Sequence, residues 1–250
     1  MTDPRVAIIT GASRGIGAAT ALLAAQRGYA VCVNYRVHRA AAEQVVASID
    51  AAGGRAIAVA ADVSVEAEVL RLFATTQTQL GSITALVNNA GILEHQMRVE
   101  DMDAARIHRV LATNVVGSFL CAREAVRHMS TRRAGSGGAI VNVSSGASRL
   151  GSPNEYVDYA ASKGAIDTFT VGLAQEVAAE GIRVNAVRPG FIYTQMHASG
   201  GEPNRVDRLK HSVPMQRGGT AEEVARTILW LLSEEASYTT GAIVDVAGGK

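Results

Sequence analysis

The chain has 250 residues, 48% of them hydrophobic, and its 24 basic and 23 acidic side chains leave a net charge of +1. That balance gives nucleic acid or an anionic membrane no electrostatic hold, so neither is expected as a partner. The length suits one α/β domain, 1–250, built on a single sheet.

The N-terminus, MTDPRVAIIT, enters an apolar strand within five residues and lacks a basic-then-apolar leader, so no signal peptide is expected. RVAIIT (5–10) reads as a buried strand, followed by a helix, GIGAATALLAAQRG, that closes at Gly28. AVCVNY (30–35) is a strand, then a helix runs to Gly53 and Gly54. RAIAVAAD (55–62) is the third strand, with a helix ended by Gly81, and ITALVNN (83–89) the fourth. A long helical region covers about 101–130, then GAIVNVSS (138–145) is a strand. A helix runs on to Gly181, IRVNAVRPG (182–190) is a strand stopped by Pro189, AEEVARTILWLLSEE is an amphipathic helix, and GAIVDV (241–246) is the last strand.

Continuous apolar strands alternating with helices imply parallel pairing with helices on both faces. Right-handed crossovers then give a Rossmann-like, doubly wound sheet of about seven strands. The stretch 191–219, rich in Gly, Pro and charge, reads as a variable loop over the ligand crevice. The apolar segments are too short or interrupted to span a bilayer. Cys32 and Cys121 lie apart, as reduced thiols of a cytoplasmic protein would, and six scattered histidines without an HExxH or Cys/His pairing predict no metal.

Two stretches carry chemistry. TGASRGIG (10–17) joins the first strand to the first helix through Gly11, Gly15 and Gly17. Glycine allows the turn and a close approach, and the helix N-terminus offers free N–H groups to a pyrophosphate. A tight turn alone also needs glycine. In YAASK, Tyr159 and Lys163 share a helix face roughly 5–6 Å apart at Cβ. An ammonium there favours the phenolate of a group whose free pKa is about 10. A solvated surface pair has the same spacing.

TGASRGIG, NNAG (88–91), Asn114 in LATNVVGSF, IVNVSS (140–145), YAASK and RPGFIYT (188–194), in this order, resemble the short-chain dehydrogenase/reductase family across residues 5–249. The 3-oxoacyl-carrier-protein reductases and glucose 1-dehydrogenases look nearest. The resemblance implies an oxidoreductase that interconverts a carbonyl and an alcohol, with Asn114, Ser145, Tyr159 and Lys163 as the catalytic set. Tyr159 would be the general acid/base, Lys163 would also bind the nicotinamide ribose, and Asn114 would open its helix to hold a water. Ser145 would orient the carbonyl, with Ser144 as its competitor because neighbouring strand residues face opposite ways. Tyr156 is a decoy phenol without a lysine four residues on. The cofactor would touch Gly11, Ser13, Arg14, Gly15, Ile16, Gly17, Tyr35, Arg36, Asp62, Val63, Asn88, Ala90, Gly91, Tyr159, Lys163, Pro189, Gly190, Ile192 and Thr194. Asp62 equally suits a helix cap, and NNAG a turn.

NADP(H) is expected over NAD(H). Tyr35 stands where NAD enzymes of the family carry aspartate, and Arg36 and Arg14 suit a 2′-phosphate. The substrate is expected to be a small carbonyl or alcohol; Glu180, where carrier reductases of the family are basic, argues against an acidic carrier, with Arg132 and Arg133 as partial compensation. A non-catalytic dinucleotide sensor is the competing reading. The family is mostly tetrameric, so a homotetramer is implied.

Overall fold

The computed structural model describes residues 5–250; residues 1–4, on which part of the N-terminal reading falls, lie outside the described residues. The elements run β1 (Val6–Ile9), α1 (Gly15–Gln26), β2 (Ala30–Tyr35), α2 (Arg39–Ala51), β3 (Arg55–Ala60), α3 (Glu66–Leu80), β4 (Ile83–Asn88), α4 (Ala104–Leu111), α5 (Gly117–Met129) and β5 (Gly138–Val143). They continue with α6 (Ala147–Leu150), α7 (Val157–Val177), β6 (Ile182–Pro189), α8 (Met196–Ser199), α9 (Arg205–Leu209), α10 (Ala221–Leu232) and β7 (Ile243–Val246). The strands form one seven-stranded sheet in the order β3-β2-β1-β4-β5-β6-β7, and every pairing is parallel.

Alternation along each strand builds a core on both faces. In β1, Ala7 and Ile9 pack with residues of α1, α2 and α10, while Val6 and Ile8 face α3, α5 and α7. Both faces are covered, so the strands read as unbroken apolar runs. The helix ends follow local chemistry. Gly81 ends α3 at φ 107°, and Thr220 with Glu223 makes a reciprocal capping box at the start of α10.

The chain order reverses between β1 and β4, which leaves a crevice at the carboxyl ends of those strands. The expected single helix over about 101–130 is instead a short 3₁₀ turn, α4, a π turn at Ala112–Val116, and α5. The segment 191–219, expected as loop, contains α8 and α9. Among the described residues no helix is long and apolar enough to cross a membrane.

Candidate active site

A groove follows the crevice from the end of β2 across the glycine turn. Ser13, Arg14, Ile16, Tyr35, Arg36, Val63, Ala90, Gly91 and Thr194 line it with Gly11, Gly15 and Asp62. Gly11 and Gly15 take φ 61° and 57°, where a side chain is strained. A Cβ on Gly11 would lie 2.9 Å from the Ala90 Cα. No side chain caps α1, so its first amides are left for a ligand. A narrow glycine cradle at a free helix N-terminus fits the pyrophosphate of a dinucleotide.

Beyond Thr194 the groove opens into a second cavity walled by Ser145, Tyr159, Lys163, Pro189, Gly190 and Ile192. The side chains of Ser145 and Tyr159 both face this cavity. Ser144 is buried and donates from Oγ to the Lys163 carbonyl at 3.2 Å. Both serines follow the end of β5 and line the cavity, and Ser144 ties that end to α7. Lys163 donates from Nζ to the Val143 carbonyl at 2.7 Å, and Nζ lies 5.6 Å from the centre of the Tyr159 ring.

Asn114 is fully buried inside the π turn. Its Oδ1 accepts from the Ile92 N–H at 2.7 Å, while Nδ2 donates to the Ile92 carbonyl at 3.1 Å and to Ser162 Oγ at 3.0 Å. The side chain thus fastens the segment after β4 to α7. A Cβ on Gly91 would lie 3.4 Å from Asn114 Oδ1 and 3.5 Å from Lys163 Nζ, so all three groups converge at the groove floor.

Electrostatics departs from the sequence expectation in one respect. Burial pushes the Tyr159 phenol above its ordinary value, and the Ser145 hydroxyl nearby only partly offsets this. The Lys163 ammonium lies over the ring and bonds to the Val143 carbonyl. Burial depresses Lys163 itself to about 8, opposed by the charge of Asp167. Arg188 holds Asp167 through two hydrogen bonds to Oδ2, at 2.8 and 3.0 Å.

Two expected cofactor residues stand elsewhere. Asn88 faces the interior, where Nδ2 donates to the Asn142 Oδ1 at 3.0 Å and the Ser118 carbonyl at 3.2 Å. Gly17 lies behind the turn, where a Cβ would come 2.5 Å from Asn89 Nδ2, so it serves close packing. Asn89 is the asparagine at the groove, and its Nδ2 donates to the carbonyls of Thr10 and Gly11. Asn34 was missed as well: Oδ1 accepts from the Gly11 N–H at 3.2 Å, and Nδ2 spans the Val59 and Ala61 carbonyls of the third strand's end. A polar residue in an otherwise apolar strand was the available signal. Asp62 lines the groove and also holds its turn, accepting from Ser64 N–H and Oγ. Arg36 pairs with it at 3.4 Å. Burial opposes ionisation of Asp62, but Ser64 and Arg36 prevail and keep its carboxyl below the ordinary value. Tyr156 donates to the Gly200 carbonyl at 3.1 Å and has no lysine.

A doubly wound sheet with a glycine cradle leading to a serine, a phenol and a buried lysine defines a nicotinamide-dependent oxidoreductase acting on CH–OH groups. Residues 11–250 match a family model described as enoyl-(acyl carrier protein) reductase. The chain belongs to the short-chain dehydrogenase/reductase family. It is 64% identical over 98% of its length to the uncharacterized oxidoreductase YgfF of Escherichia coli K12, covering 99% of that protein. It is 41% identical to a 3-oxoacyl-[acyl-carrier-protein] reductase of Synechocystis, over 98% of this chain and 96% of that one. A short-chain type dehydrogenase/reductase of Mycobacterium marinum superposes with a TM-score of 0.92 at 34% identity, over 98% of this chain and 94% of that chain.

Proposed function

We propose that this protein is an NADP(H)-dependent reductase that converts a carbonyl to an alcohol, and the reverse, with Tyr159 as general acid/base. The observation that carries the reading is the convergence of Ser145, Tyr159 and the buried Lys163 on one cavity at the end of the glycine-floored groove. When bound, the reduced nicotinamide supplies a hydride, and with it two electrons, to the carbonyl carbon. Ser145 orients the carbonyl oxygen and donates to it as charge develops. Tyr159 gives that oxygen its proton, completing the alcohol. Lys163 holds positive charge beside the phenolate left behind, and Asn114 fixes the wall on which Lys163 sits. Pro189, Gly190, Ile192 and Thr194 would hold the nicotinamide end.

Preference for the phosphorylated cofactor is supported by Tyr35, Arg36 and Arg14 on the groove. No carboxylate stands at Tyr35 to repel a 2′-phosphate. Arg36 is held only by a half-exposed pair with Asp62, and such pairs contribute at most about 1 kcal/mol. A phosphate dianion can compete for it.

A carrier thioester is a second reading, favoured by relatives named as 3-oxoacyl-carrier reductases. Against it, Glu180 forms an ion pair with Arg132 at 3.2 Å, so the loop cation is partly neutralised where an acidic carrier would need it. We also read the chain as one domain whose 191–219 segment covers the cavity, working in the cytoplasm as a homotetramer. Phe119 and Phe169 stack at 3.8 Å between centroids, and Phe119, Val116 and Val171 leave apolar surface for a partner. Light scattering tests the assembly.

The test of mechanism is NADPH oxidation with a panel of ketones, aldehydes and sugars. Tyr159→Phe should remove turnover by at least about a hundredfold while NADPH still binds. Retained turnover in that variant, or tight cofactor binding without any reduction by the wild type, refutes the reading.

A further inference from the structure

The cavity beside Tyr159 encloses about 380 Å³, within the range of a small-molecule site. Away from the reacting hydroxyls its wall is formed largely by Leu93, Leu150, Pro153, Phe191, Met196 and Leu209. The charged side chains that reach this wall are engaged with one another, with the backbone or, for Lys250, with Ser212. Glu155 is held by Arg205 and, at 3.6 Å, by Arg208. Arg205, itself 8% exposed, also pairs with Glu202 at 3.0 Å. Lys250 donates from Nζ to Ser212 Oγ at 2.6 Å and lies over the Phe191 ring. Lys163 is committed to the Val143 carbonyl.

The neutral polar groups are mostly spent too. Tyr156 donates to the Gly200 carbonyl. His197 uses Nε2 on the Ile192 carbonyl at 3.0 Å, while its buried Nδ1 has no protein partner. Beyond Ser145 and Tyr159, the wall offers a ligand the hydroxyls of Ser152 and Thr194 and little else.

From this wall we infer that the physiological substrate is a free, uncharged ketone with apolar arms, or the corresponding secondary alcohol, and neither a sugar nor a carrier-bound thioester. The inference rests on the reductase reading above and narrows it. A polyol would have to bury several hydroxyls against carbon, and each unmatched one costs about ten- to hundredfold in affinity. A charged substrate would find Glu155, Glu202, Arg205 and Arg208 already paired, and Lys163 and Lys250 held by the Val143 carbonyl and Ser212. A carrier substrate would need the cationic surface that Glu180 and Arg132 offset in each other. An apolar arm gains from the same wall, at about fourfold per buried methylene.

The test uses the wild-type protein with NADPH and a graded set: 2-butanone, 2-pentanone and 2-hexanone against dihydroxyacetone, xylose and an acetoacetyl-carrier thioester. Tyr159→Phe serves as the control for authentic turnover. The expected result is a kcat/KM that climbs about fourfold per methylene along the ketones. The longest ketone should exceed dihydroxyacetone and the thioester by at least about a hundredfold. Calorimetry with unreactive hexanamide on the NADP⁺-loaded protein should show binding that gluconamide lacks. A flat or falling series, or sugar or thioester ranking first through Tyr159, overturns the substrate class and leaves the reductase reading standing. Reduction of none of these carbonyls, with NADPH bound, removes both.

Discussion

Arg106 on α4 and Asp158 on the first turn of α7 form an ion pair at 2.8 Å, with side chains only 4% and 3% exposed. Arg106 also donates from Nη1 to the His95 carbonyl at 2.6 Å, and Asp158 Oδ1 accepts from the Tyr159 N–H at 2.9 Å. One cation therefore joins α4, the segment after β4, and the residue next to the acid/base phenol. Removing one partner of such a pair leaves a buried charge without an opposite. Asp158→Ala should cost about 3–5 kcal/mol of stability. Chemical denaturation checks this, and a change under 1 kcal/mol would mean that water reaches Arg106.

Ser145 and Ser144 are adjacent but should behave differently. Ser145→Ala should lower kcat by about a hundred- to a thousandfold with KM for the cofactor little changed. Ser144→Ala loses a buried hydrogen bond to the Lys163 carbonyl, worth about 1 kcal/mol of stability, and should keep most of its kcat. Equal losses of kcat in the two variants would contradict the assigned roles.

With Lys163 holding the cofactor as proposed, its protonation sets a pH limit on binding. Burial depresses it to about 8, so it is an ammonium below that pH and neutral above. Affinity for the anionic dinucleotide should weaken as pH rises through about 8. Asp167 supports the charged form, so Asp167→Asn should move the break to lower pH. Leaving Arg188 unpaired adds to the same shift. Lys163→Arg, which does not lose its charge, should remove the break. Fluorescence titrations of NADPH across pH read all three, and a break unmoved by Asp167→Asn counts against the account.

Cofactor choice is tested by changing attraction and repulsion together. Tyr35→Asp with Arg36→Ala should lower kcat/KM for NADPH about ten- to hundredfold while NADH gains or holds. A wild type that already prefers NADH would show that Arg14 and Arg36 do not form a phosphate site.

The sheet was legible because parallel strands buried on both faces leave apolar runs with helices between them. The glycine turn and the Tyr159–Lys163 pair were legible because each packs its chemistry into one short stretch. Less visible were contacts made across the fold. Asn34 reads as an ordinary strand end until its amide is seen bridging the third strand and the Gly11 N–H. Asn88 and Asn89 cannot be told apart without the face each takes at the end of β4. The phenol's upward shift depends on burial from elements distant in sequence, which helical spacing does not reveal.

The π turn at Ala112–Val116 puts one residue too many into a helix that would otherwise run straight from α4 to α5. Deleting a residue such as Val115 would let the helix regain regular bonding, with the flanking turns kept in phase and the local bulge lost. Asn114 would then lose its place between Ile92 and Ser162. The surplus residue is taken up as a local bulge between two halves of one rod, and the site depends on that bulge. A helix improved by the usual criteria of propensity and regularity would be a worse wall for Lys163, so shortened variants selected only for heat resistance should emerge well folded and inactive.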